Sequence, residues 1–99
     1  MRIETTDSHD ERTFLINDDT ASAAITELEK MIYEFIKNDE RNVVIDLALI
    51  YKIDSMSLAT LIRIKNKLTE NNRKMILVNP SDGVMRVLEL AGLESFLLG

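Results

Sequence analysis

A serine at the predicted start of a helix is the residue of this sequence whose position most suggests chemistry. Residues 43–48 form a short apolar run rich in β-branched side chains, which predicts a buried central strand. Ile53, Asp54 and Ser55 follow, and a helical pattern begins at Ser55. A hydroxyl there lies where free backbone N–H groups and the helix dipole favour an anion. A phosphate on Ser55 would therefore suit this position, but the spacing alone favours the simpler interpretation that Ser55 caps the helix, as serine often does.

A polar stripe on the same helix is the second candidate feature. At 100° per residue, Met56, Thr60 and Arg63 share one side of the helix, and Ser57 falls on the opposite, apolar side. We predict that Asp54, Met56, Thr60 and Arg63 bind a partner protein beside Ser55. The alternative is that this stripe is an ordinary solvated helix face.

The surrounding elements predict an α/β fold. A hairpin is expected from strands at residues 2–5 and 13–16, followed by possible helix N-caps at 17–20. Helices are expected at 21–37, 55–70 and 84–91, and buried strands at 43–48 and 75–79. Residues 96–98 are expected to form a last short strand or a packed tail. This order predicts a single domain over residues 1–99, with a mixed sheet, parallel central strands and helices packed on it.

Composition argues against most other classes of function. The chain has 99 residues, a net charge of -5, no cysteine and one histidine, so we expect no metal site and no nucleic-acid partner. The turns after the two buried strands lack a glycine-rich phosphate loop, so no cofactor is expected. No apolar run is long enough to insert in a membrane, which favours a cytoplasmic protein. Asp46 and Asp54 could be paired as acid and base, but a strand residue and a helix cap do not favour an enzyme.

Two segments of the sequence resemble the STAS domains of bacterial anti-sigma-factor antagonists. The first is Val43-Val44-Ile45-Asp46-Leu47, then Ile53-Asp54-Ser55, then a helix containing Leu58-Ala59-Thr60-Leu61. The second runs from Leu77-Val78-Asn79-Pro80 to Leu90-Ala91-Gly92-Leu93. In that family a strand ending in Asp-Leu leads to an Asp-Ser-Ser/Thr-Gly-Leu-Gly motif. Here Met56 replaces the second Ser or Thr, and Ser57 and Ala59 replace the two glycines.

The resemblance implies a non-catalytic module that switches partners and contributes to transcription regulation. Its unphosphorylated form would bind an anti-sigma factor that is also a serine kinase. Phosphorylation of Ser55, the residue at the family position, would release it, and a phosphatase would reset it. The alternative is a constitutive STAS subunit of a larger assembly or transporter complex that is never phosphorylated, which the altered motif keeps open.

Overall fold

The computed structural model describes residues 3–17 and 22–98. Its elements follow in chain order: β1 (Ile3–Asp7), β2 (Glu11–Ile16), α1 (Ser22–Asn38), β3 (Asn42–Asp46), α2 (Ser55–Glu70), β4 (Met75–Val78), α3 (Asp82–Leu90) and α4 (Glu94–Leu98). The predicted helices and strands are therefore present up to α3, each within two residues of its expected bounds. Three of the expected N-caps of α1, at residues 18–20, lie outside the described residues.

The sheet is mixed, and its strand order is β1-β2-β3-β4. β1 and β2 pair antiparallel as a hairpin, whereas β2, β3 and β4 are parallel. The register places Phe14 beside Ile45 and Ile45 beside Leu77. These contacts confirm the predicted α/β fold with parallel central strands, because the α1 and α2 crossovers join neighbouring parallel strands.

All four helices contribute to a single core on one face of this sheet. Phe14, Ile45 and Leu77 supply the strand side of that core. The helix side contains Leu28 and Ile32 of α1, Leu61 and Ile64 of α2, Val84 and Leu88 of α3, and Leu97 of α4. Because successive strand residues point to opposite faces, the alternate residues of β2, β3 and β4 lie outside this core.

The structure corrects two predictions about the second half of the chain. Residues 96–98 form no strand but the end of α4, in which the Leu97 N–H donates to the Leu93 carbonyl at 2.9 Å. The other expectation, a packed tail, is confirmed in that Leu97 is buried in the core. This turn lies beside α2, where Lys65 donates to the Phe96 carbonyl. β4 is also not buried on both faces, since it lies at the edge of the sheet and leaves Ile76 42% exposed.

A cluster of arginines joins the end of α1 to the beginning of the parallel strands. Arg73 donates to the carbonyls of Ile36 at 2.9 Å and Arg41 at 3.0 Å, as well as to that of Asp39. Arg41 pairs with the Asp39 carboxylate at 2.7 Å. Arg73 thus satisfies carbonyls at the helix C-terminus and fixes α1 relative to β3.

Candidate functional site

The connection between β3 and α2 is held by buried side chains and local hydrogen bonds. Leu47, Ile50 and Ile53 belong to the core. Asp46 accepts from the Ala48 N–H at 2.9 Å and also from the Asn79 side chain at 3.3 Å. Asp46 therefore shapes the turn at the end of its strand, a role that differs from the acid–base pair considered above.

Asp54 is the N-cap of α2 and Ser55 is its first helical residue. The Asp54 carboxylate accepts from the Ser57 N–H at 2.8 Å, and the Asp54 carbonyl accepts from the Leu58 N–H at 3.0 Å. The interpretation that Ser55 caps the helix is thus wrong, because Asp54 satisfies the orphan N–H group that a cap would bind. The Ser55 side chain points instead to solvent and is exposed.

The Asp54 carboxylate is stabilised in its charged form. Its pKa is lowered from the ordinary value by the Ser57 hydroxyl and, next, by the Ser57 backbone N–H. The buried Ser57 hydroxyl makes no hydrogen bond of ordinary geometry, so we attribute the effect mainly to the 2.8 Å bond from the N–H. In the described part of the chain, the N–H groups of Ser55 and Met56 have no protein acceptor. The start of α2 therefore retains donors for an anion.

Thr60 does not belong to an exposed stripe. Its side chain is only 5% exposed and lines a shallow cleft against Ala23 and Thr26 of α1, together with Ser57. The Thr60 hydroxyl donates to the Met56 carbonyl at 3.0 Å. The prediction that Thr60 lies on a solvated or partner-facing surface is wrong because α1 covers this side of α2. The burial predicted for Ser57 is confirmed.

Arg63 is exposed, as predicted, but it is engaged within the protein. Its guanidinium donates to both Glu29 carboxylate oxygens, at 3.1 and 3.3 Å, and to the Thr60 hydroxyl at 3.0 Å. The Arg63 hydrogen bonds, followed by one from Tyr33, lower the pKa of Glu29. Arg63 therefore joins α1 to α2, while 56% of its side chain remains in contact with solvent.

Comparison with known proteins identifies the family. The STAS domain profile matches residues 2–98. This chain belongs to the STAS domain family. Similar folds include a putative anti-sigma factor antagonist from Thermotoga maritima, with 20% identity, 97% and 83% of the two chains covered and a TM-score of 0.79. The structure of the anti-sigma factor antagonist SpoIIAA in its unphosphorylated form is also similar. The alignment covers 97% of this chain and 85% of SpoIIAA, with 15% identity and a TM-score of 0.81. For the phosphorylated form of Bacillus SpoIIAA, the alignment covers 97% of this chain and 88% of SpoIIAA, with 14% identity and a TM-score of 0.75.

No curated protein matches the sequence of this STAS domain at a significant level. Within residues 3–17 and 22–98, no three histidine, aspartate or glutamate side chains are grouped as a metal site. In the same residues, no helix is both long and apolar enough to cross a membrane.

Two exposed apolar residues near Ser55 were missed by the sequence analysis. Tyr51 is 69% exposed in the connection before α2, and Leu49 is also exposed there. Met56, the predicted partner-binding residue next to Ser55, is 74% exposed. The three-residue spacing of Leu47, Ile50 and Ile53 was the available signal, since these residues are buried and Leu49 and Tyr51 between them are not. The segment at residues 49–56 of this STAS domain thus combines an exposed serine with three exposed apolar side chains.

Proposed function

We propose that this STAS domain, formed by residues 1–99, is an anti-sigma-factor antagonist without catalytic activity. Its partner would be an anti-sigma factor that is also a serine kinase, in the cytoplasm of a bacterium. The observation that carries the proposal is the exposed Ser55 at the N-terminus of α2, followed by the exposed Met56 and preceded by the exposed Tyr51 four residues earlier. Exposed aromatic and methionine side chains are typical of protein interfaces.

Phosphorylation of Ser55 would act on binding more than on folding. A phosphate adds roughly -1.5 to -2 charges at neutral pH. The first turn of α2 contains no acidic residue, and a negative charge at a helix N-terminus is generally favourable. Within an interface, the same charge would lie beside the Asp54 carboxylate and would have to lose its water. Repulsion and desolvation would therefore release the partner while the fold remains intact.

The compared structures support a switch of this kind. SpoIIAA has been solved in unphosphorylated and phosphorylated forms, and both resemble this chain in fold. Partner binding through Asp54, Met56 and Arg63 remains a prediction. Met56 is 74% exposed, and Arg63 could bind only by sharing or giving up its contact with Glu29. A phosphatase would return the phosphorylated form to the binding state.

The proposal is tested by capture and by phosphorylation. Wild-type protein and the Ser55→Asp and Ser95→Asp variants are used as bait in extract from the source cell. Ser95 is an exposed serine in α4, so its variant matches the change in charge. We expect a nucleotide-binding serine kinase to be captured by wild type and Ser95→Asp but not by Ser55→Asp. Thermal melting should show Ser55→Asp to be as stable as wild type, or slightly more stable.

Mass spectrometry then locates the modified residue. After incubation with the captured kinase and ATP, we expect phosphate on Ser55 and none on the buried Ser57. Phosphate on Ser57 alone would refute the assignment. Recovery of membrane transporter subunits by all three baits would instead support the constitutive structural role, and a large loss of melting temperature in Ser55→Asp would mean that Ser55 is structural.

A further inference from the structure

One face of the sheet is left uncovered by the described elements. All four helices bury side chains in the core formed on the opposite face. The uncovered face contains the alternate strand residues, and four of these are apolar: Leu15, Val44, Ile76 and Val78. The register places Val44 beside Ile76 in one row, and Leu15 and Val78 on either side of Asp46 in the next.

These apolar residues occupy the part of the face where exposure is unusual. They lie on the parallel strands β2, β3 and β4, whereas the antiparallel edge strand β1 presents the polar Glu4 and Thr6. Parallel sheets normally have both faces covered, while antiparallel sheets often leave one face to water. Ile76 is nevertheless 42% exposed and Leu15 and Val78 are half-buried, whereas Val44 is only 6% exposed between its neighbours. The parallel part of this sheet therefore lacks the second layer that such sheets usually have.

The charges around this surface are predominantly negative. Glu4 and Asp46 belong to the row that contains Leu15, and Glu11 is the first residue of β2, the strand of Leu15. Glu4 accepts from the neutral side chain of Asn17 at 2.7 Å, and Asp46 is likewise held by neutral donors. Lys74 directly precedes β4 and falls on the same face as Ile76. It is the one cation on this face among the described residues. Within residues 3–17 and 22–98, none of these three carboxylates forms an ion pair, so the apolar surface is bordered by negative charge.

We propose that this face docks a cationic amphipathic helix of a partner protein, independently of Ser55. Three parallel strands spaced by about 4.8 Å span roughly 10 Å, close to the diameter of one helix, about 10–12 Å. Apolar side chains of the helix would cover Ile76, Leu15 and Val78, and its lysines or arginines would pair with Glu4, Glu11 and Asp46. A second copy of this chain would bring like charges together, and an anionic membrane would be repelled.

The test uses a helical peptide of about 18 leucines and lysines with its leucines on one face, and a matched peptide in which glutamate replaces lysine. Each is titrated into the full, isotope-labelled chain, and amide chemical shifts are followed by NMR. We expect the cationic peptide to shift the amides of β3 and β4, with binding weakened by salt, and the anionic peptide to bind at least about tenfold more weakly.

Two variants of equal net charge separate apolar docking from general attraction to an acidic protein. Ile76→Asp should weaken binding of the cationic peptide at least about tenfold, although it adds a negative charge. Leu90→Asp makes the same change at a residue of α3 that is 83% exposed, and it should bind like wild type. Ser55→Asp should also bind like wild type, which keeps this surface distinct from the proposed switch. Amide spectra of each free variant report whether it is folded, and Glu4→Lys provides a second test, with weaker binding expected.

Several results would overturn the proposal. Ile76→Asp could bind as tightly as wild type, or the shifts could fall on the helices or on residues 49–56. Equal binding of the anionic peptide would show that charge complementarity plays no part. Concentration-dependent shifts of β3 and β4 without peptide would assign the face to a second copy of this chain, and binding to vesicles of phosphatidylcholine and phosphatidylglycerol through these strands would assign it to lipid.

Discussion

Replacing Gly83 with alanine should disturb the segment that presents Ser55. Gly83 lies in the first turn of α3, and a Cβ atom built there would be 2.9 Å from the backbone carbonyl oxygen of Tyr51. An ordinary contact of this kind needs about 3.4 Å, so the helix or the connection has to move by roughly 0.5 Å. The atom that is struck belongs to the backbone, and Ile50 and Ile53 anchor that connection in the core. The clash is therefore not relieved by rotating a side chain.

The size of the effect follows from two opposing contributions. Alanine is favoured over glycine in a helix by up to about 1 kcal/mol, whereas forcing atoms into a packed site costs about 1–3 kcal/mol. We expect a net destabilisation of about 1 kcal/mol, which in a domain of this size lowers the melting temperature by about 4–8 °C. NMR shifts should be largest in residues 49–56, and the captured kinase should bind Gly83→Ala more weakly.

A matched glycine gives the control. Gly92 has a φ of 70°, and a Cβ atom there meets nothing within 4 Å, so Gly92→Ala should cost about 1 kcal/mol through backbone strain alone. Its chemical-shift changes should remain near the end of α3. If Gly83→Ala melts at or above the wild-type temperature, or leaves the amides of residues 49–56 unchanged, the connection yields easily and this reasoning is refuted.

Three further predictions concern stability. Hydrogen bonds from Arg41 and Arg63 lower the pKa values of Asp39 and Glu29, respectively, so the folded state binds fewer protons than the unfolded state. The free energy of unfolding, measured with urea, should therefore keep this contribution in full above about pH 5 and lose it as the pH drops through the lowered pKa values. Arg63→Glu, which places a carboxylate against Glu29, should lower the melting temperature, whereas Lys30→Glu on the exposed side of α1 should not. Leu61→Ala in the core should cost about 2–5 kcal/mol in chemical denaturation.

The start of α2 was predictable because its signals are local. An aspartate that can cap, a serine at the first position and an apolar period beginning at Leu58 all lie within a few residues. The structure confirms the helix from Ser55 to Glu70, the N-cap at Asp54 and the central position of β3. A β-branched run between two helices likewise favours a parallel strand without knowledge of its neighbours.

The surroundings of Thr60 and Arg63 depend on contacts that are distant in sequence. Ser57, Thr60 and Ile64 follow the spacing of a buried helix face, but a threonine among charged residues also suits a solvated one. The position of α1 decides between these, and Arg63 meets Glu29 across 34 positions of the chain. The α4 helix was missed for a related reason, because five residues are too few for a helical period to be recognised.

The arrangement around Ser55 separates what holds the helix from what would meet a partner. The Asp54 carboxylate and the Ser57 N–H fix the first turn. Thr60 anchors the next turn against α1. Met56 and Ser55 contribute nothing comparable to the core and face solvent. A charge added to Ser55 would therefore change the exposed surface without removing a contact that stabilises α2. This separation suits a switch in which the phosphate changes the partner that is admitted while the fold is kept.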